Sequence, residues 1–138
     1  MKVASKFRRK TGETYLIDTN IIIDFFSNDL ELKKKFSVSK LLISSVVVGE
    51  LYFGAYASLR MKSKISEIEE FIKECDVVYV DVDTAKYYGK VKSQLKKSGT
   101  PIPENDVWIA ALSLQHNAIV ATRDKHFDKP KDIKVEYW

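Results

Sequence analysis

Short apolar runs alternate with longer helical patterns along almost the whole chain, and this alternation constrains the fold more than any single motif. Five β-rich runs stand out: Tyr15 to Ile17, Leu41 to Ile43, Val77 to Val80, Ala118 to Ala121 and Ile133 to Glu136. Between them lie helical patterns over residues 20–27, 29–37, 45–60, 63–74, 84–97 and 104–116. The first four runs are apolar with little alternation, as in strands covered on both faces. Strands alternating with helices predict a central parallel sheet, here of about five strands, in a three-layer α/β/α sandwich. The clearest break is "KKSGTPIPEND", where Gly99 and Pro101 end one helix and Pro103 suits the first turn of the next. There is no internal repeat, low-complexity tract or linker, and 138 residues suit one domain with a real core. The expected division is a basic extension over residues 1–13 and a domain over 14–138.

One stretch competes with this reading. Residues 41–59, "LLISSVVVGELYFGAYASL", carry a single charge and resemble a membrane span. Ser44 and Ser45 instead read as a strand end followed by a helix N-cap, and Glu50 sits mid-run, where a charge is expensive in lipid. No membrane association is expected. The first 14 residues are polar and basic, without the apolar region of a secretory signal. Cys75 is the one cysteine, which excludes an internal disulfide and favours a reducing, cytoplasmic setting. It follows a helical pattern and reads as a buried thiol. The 23 basic and 19 acidic residues leave a net charge of +4, which permits a polyanionic partner without requiring one.

In open parallel α/β sheets, ligands bind outside the carboxyl ends of the strands. Asp18 ends the first strand. Glu50 lies in the second turn of the helix after the second. Asp106 lies in the first turn of the helix before the fourth, and Asp124 directly follows that strand. Each acid has an ordinary explanation. Asp18 and Asp124 suit N-caps, and Asp106, like neighbouring Glu104, suits a helix dipole. Glu50 is harder to dismiss, because it is the only charge between Lys40 and Arg60 and shares a stripe with Val47 and Gly54. Independent caps need not cluster, and these four can meet at one sheet edge. Clustered carboxylates do not all stay ionised without a counter-charge. With no His or Cys ligand set evident, the implied ion is hard and divalent, Mg²⁺ or Mn²⁺. Such a site polarises phosphoryl oxygens and activates water, which points to phosphoester hydrolysis.

Four segments in this order, "LIDTNIIIDFF", "ISSVVVGELYFGA", "PENDVWIAALSL" and "IVATRDKHF", resemble the PIN domain family, and within it the VapC-type toxin ribonucleases. The closing "VEYW" resembles the last strand of that group, so the likeness runs from about Thr14 to the end. The resemblance implies a metal-dependent endoribonuclease whose acids are Asp18, Glu50, Asp106 and Asp124. It implies that Asn20 and Thr122 support the site by hydrogen bonding. It further implies RNA as substrate, a homodimer, and a small antitoxin protein that reaches into the active site. The basic extension departs from the family pattern, the family often has Asn at the place of Asp124, and Glu104 has no assigned role. A housekeeping PIN-type RNA-processing nuclease carries the same motifs.

Other residues are read modestly. Arg123 and the lysines at 33–35 and 96–97 suit phosphate contacts, although lysine runs are by default solvated faces. His116 and His126 read as structural, one ending a helix and one in a loop. Trp108 and Phe53 read as core or dimer-face residues. A haloacid-dehalogenase-type phosphatase also begins with a strand-end Asp, but needs a second acid where this chain has Asn20. A receiver-like, non-catalytic α/β module needs an acidic pair after the first strand and a phosphoacceptor Asp after the third, and Val80-Asp81 fits poorly.

Overall fold

Tyr15, Leu16 and Ile17 favour extended backbone, and Thr14–Ile17 form the first strand, β1. The computed structural model describes residues 13–138. But for Glu13, the expected basic extension lies outside the described residues. Four further strands follow: β2 (Lys40–Ser44), β3 (Asp76–Val78), β4 (Ile119–Thr122) and β5 (Lys134–Tyr137). Six helices intervene: α1 (Thr19–Phe26), α2 (Leu30–Val38), α3 (Ser45–Tyr56), α4 (Met61–Lys73), α5 (Val82–Ser98) and α6 (Glu104–Gln115). A short 3-10 helix, Lys125–Asp128, precedes β5.

Every strand pair is parallel, and the sheet order is β3-β2-β1-β4-β5. Parallel neighbours require crossovers, which the helices supply. The result is the expected parallel sheet flanked by helices. The central strands are covered on both faces: Leu16, Ile17, Val120 and Ala121 are fully buried. The main core joins them to Ile21, Ile22, Ile43, Val47, Ile109, Leu112 and Phe127. A smaller cluster, Val91, Leu95, Val107 and Ala110, locks α5 to α6. Cys75 is buried, as expected.

Polar residues punctuate the elements. Ser44 Oγ accepts from Val47 N at 3.0 Å and so starts α3 at the serine pair. Asp81 and Thr84 form a reciprocal capping box at the start of α5. Gly99 ends α5 with a left-handed φ of 65°, where a Cβ would be strained. Most boundaries shift by one or two residues, and two of the differences have a visible cause. The third strand covers Asp76–Val78, because its partner β2 ends at Ser44, opposite Val78. Tyr79 and Val80 are therefore exposed connection rather than strand. Helix α3 stops at Tyr56, four residues early, where Ser58 Oγ accepts from Arg60 N in a local turn that competes with helical hydrogen bonding. Among the described residues, no helix is long and apolar enough to cross a membrane.

Candidate active site

The chain runs outward from β1 through β2 to β3, then returns to lay β4 against the other side of β1. The carboxyl ends of β1 and β4 thus diverge at a switch point, where an open α/β sheet forms a crevice. Ile17 pairs with Ala121, so the next residues, Asp18 and Thr122, emerge side by side.

Asp18 is almost wholly buried there. Its backbone N–H continues the ladder to the Ala121 carbonyl at 3.0 Å. Its Oδ1 accepts from Thr19 N at 2.8 Å, so it does cap α1, and its Oδ2 accepts from Thr122 Oγ1 at 2.7 Å. Burial pushes its pKa up, the two hydrogen bonds oppose that, and the charges of Glu50 and Asp124 add to the rise. Thr122 Oγ1 also accepts from Asp124 N at 2.9 Å, so one fully buried hydroxyl sets both acids. Asp124 caps the 3-10 helix, its Oδ1 accepting from His126 N at 2.9 Å. The ordinary capping roles and the clustering therefore hold together, because strand ends and helix starts share this sheet edge.

Glu50 enters from α3 and accepts from Thr19 Oγ1 at 2.7 Å. Asp106 enters from the first turn of α6. Burial raises its pKa to about 6, His126 partly opposes the rise, and the Asp18 and Asp124 charges reinforce it. Four carboxylates from four separate segments thus act on one another. Asp106, Asp124 and His126 each offer a ligand atom, all within 4.8 Å of one another. Crowded carboxylates, two of which, Asp18 and Asp106, have raised proton affinity, form a donor set that fits a divalent cation.

Beside Glu50 opens a cleft of about 850 Å³, lined by Thr19, Ser45, Val46, Gly49, Glu50, Phe53, Val80, Asn105 and Trp108. Trp108 is half-buried and stacks on Tyr88 with ring centroids 4.0 Å apart. Phe53 is 78% exposed at the cleft, so it is no core residue.

Several expected residues stand differently. Asn20 is exposed on α1, and the hydrogen bond reaching Glu50 comes from Thr19, its neighbour in the Asp-Thr-Asn segment. Arg123, expected to meet phosphate, is engaged elsewhere. Its guanidinium lies 2.6 Å from Asp24 Oδ2 and 3.2 Å from Asp29 Oδ2, and its Nε donates to the Trp138 carbonyl. Two carboxylates and a carbonyl leave it fastening the chain's end to the α1–α2 turn. His126, read as a loop residue, lies in the 3-10 helix and faces two of the acids. Sequence spacing did not mark it, since only that tight turn brings its ring back. Glu104 pairs with Lys92 at 2.7 Å and accepts from Tyr88, bridging α6 to α5 away from the acids. Lys92 and Tyr88 hold its pKa below the ordinary value. Lys33 and Lys34 meet Asn28 and Glu31 on solvated faces.

The PIN domain description matches residues 15–133. Ribonuclease VapC1 of Haemophilus influenzae is 32% identical over 130 residues, covering 90% of this chain and 97% of its own. The tRNA(fMet)-specific endonuclease VapC of Salmonella typhimurium is 29% identical over 128 residues, with the same coverage. The structure of DNA-bound VapBC from Salmonella typhimurium superposes with a TM-score of 0.86 at 27% identity, covering 92% of this chain and 99% of that one. The sheet order, the acids at its switch point and these likenesses converge, and the chain belongs to the PIN domain family, among the VapC ribonucleases.

Proposed function

We propose that this protein is a metal-dependent endoribonuclease, the toxin of a toxin–antitoxin pair, hydrolysing RNA phosphodiesters at the switch-point acids. The observation that carries the reading is the meeting of Asp18, Glu50, Asp106 and Asp124 from four segments, with Asp18 and Asp106 both raised in pKa. These four residues would hold Mg²⁺ or Mn²⁺. When bound, such an ion polarises a phosphoryl oxygen and activates water at neutral pH. The chain's own contribution is stiffness and placement. Thr19 N and Thr122 Oγ1 pin both oxygens of Asp18, Thr122 also sets Asp124, and the Thr19 hydroxyl steadies Glu50. Asn20, exposed next to Thr19, is the remaining supporting residue of the family pattern. The cleft beside Glu50 gives an RNA strand access to the acids.

The test is cleavage of a panel of single-stranded RNA and folded transfer RNA. Transfer RNA is included because one relative is named for it. Cleavage is expected in Mg²⁺ or Mn²⁺ and its loss in excess EDTA. Cleavage at full rate in EDTA by protein free of contaminating nucleases overturns the metal-dependent reading.

The partners follow from the same reading: a small antitoxin protein that reaches the acids, and a second copy of the chain. The homodimer is supported by apolar surface left uncovered on and after α3. Phe53, Tyr56 and Leu59 are 78%, 65% and 105% exposed, and exposed Val80 lines the same cleft as Phe53. Light scattering at several concentrations is expected to return twice the chain mass. A monomer at every concentration removes the dimer and leaves the nuclease reading standing.

A further inference from the structure

One side chain at the acids has no task in the four-carboxylate scheme. His126 lies two residues beyond Asp124, and its own backbone N–H is held by Asp124 Oδ1 at 2.9 Å. The resulting turn places Nδ1 3.0 Å from Asp106 Oδ2 and 3.0 Å from Asp124 Oδ1. The next residue, Phe127, is 1% exposed and anchors that turn in the main core. The ring is thus positioned by the fold, and it reaches acids delivered by two different segments. Donor atoms of Asp106, Asp124 and His126 all lie within 4.8 Å of one another, close enough to share one ion.

We propose that His126 Nδ1 is a direct ligand of the cation held by Asp106 and Asp124, and that it biases the site toward Mn²⁺ over Mg²⁺. The inference rests on the metal site proposed above and assigns it a nitrogen donor. The chemistry is one of ligand preference. Mg²⁺ favours oxygen donors and retains its waters, whereas an imidazole nitrogen adds affinity for first-row transition ions. In the ligating tautomer Nδ1 presents its lone pair and the ring hydrogen sits on Nε2. The side chain is about half exposed, so it can adjust to an ion without disturbing the core.

The competing account makes His126 only a hydrogen-bond partner for the two acids in the metal-free protein, displaced when an ion enters. Pulsed electron paramagnetic resonance of the Mn²⁺-loaded, full-length protein separates the two. Direct ligation is expected to produce ¹⁴N modulation from a coordinated imidazole, lost in His126→Gln. Calorimetry is expected to show Mn²⁺ affinity falling about tenfold in that variant while Mg²⁺ affinity changes less than about twofold. The parent's spectrum decides ligation even if the variant folds poorly. Saturable Mn²⁺ binding without nitrogen modulation overturns the assignment of His126 and leaves the carboxylate site intact. Equal losses for both ions overturn the selectivity. Absence of any saturable Mn²⁺ binding removes the site itself, and the metal-dependent function with it.

Discussion

Asp18→Asn and Asp106→Asn each abolish RNA cleavage while leaving the fold in place: this is the expected result with the largest effect. Each change is nearly isosteric and removes one full charge from the donor set. A unit charge about 4 Å away contributes about 4 kcal/mol at an effective dielectric of about 20, which corresponds to about a thousandfold in rate. The fold should tolerate Asn at position 18. Its side-chain oxygen still accepts from Thr19 N, and the Thr122 hydroxyl can turn to accept where it now donates. Glu50→Gln is expected to be severe. Asp124→Asn should be milder, because Asn still caps the 3-10 helix by accepting from His126 N. Single-turnover cleavage with circular dichroism checks the biochemistry, and growth arrest on expression checks the toxin reading. If Asp18→Asn arrests growth as the parent does, the assignment of the acids is wrong.

Without metal, Asp106→Asn should melt at a higher temperature than the parent. The Asp106 pKa, raised to about 6 in the folded protein against an ordinary 3.8, makes the ionised carboxylate a liability of the folded state. The sign follows from linkage. A carboxyl with a raised folded pKa favours folding most below its unfolded value, and that contribution is lost as pH rises through about 6. At about pH 7.5 the full shift corresponds to at most about 3 kcal/mol. Solvent screening and the helix dipole, which favours an anion in the first turn of α6, reduce the net gain on substitution to about 0.5–2 kcal/mol. The gap should close as pH falls from about 6 toward about 4, where the parent carboxyl is protonated. If the acids hold the proposed ion, Mg²⁺ should reverse the order, since a parent that binds it in the folded state gains stability by mass action. Thermal melts of both proteins in EDTA and in Mg²⁺, at two pH values, read all of this. If the variant is less stable in both buffers and Mg²⁺ changes neither gap, Asp106 is only a helix-start residue, and the metal site falls.

The parallel architecture was legible in the chain because it is written in local terms. Leu16 and Ile17, or Val120 and Ala121, are apolar on consecutive positions in short runs between helical patterns, as strands covered on both faces are. Asp18 and Asp124 were visible at strand ends, and Ser44 as the start of α3, because capping acts within a few residues. The end of β3 was not legible. Tyr79 and Val80 have strand-forming side chains, but a strand lasts only as far as its neighbour, and β2 stops at Ser44. The order of strands was likewise a tertiary decision: pairing Ile17 with Ala121 sets Asp18 beside a hydroxyl 104 positions away. Arg123 looked free for phosphate until the fold brought it Asp24 and Asp29, 99 and 94 positions distant. His126 looked like a loop residue until a 3-10 turn, buried by Phe127, carried its ring to Asp106. Periodicity and capping report energies between near neighbours in the chain. Charge pairing and donor geometry fall steeply with distance, so which partners meet is decided only when the sheet closes.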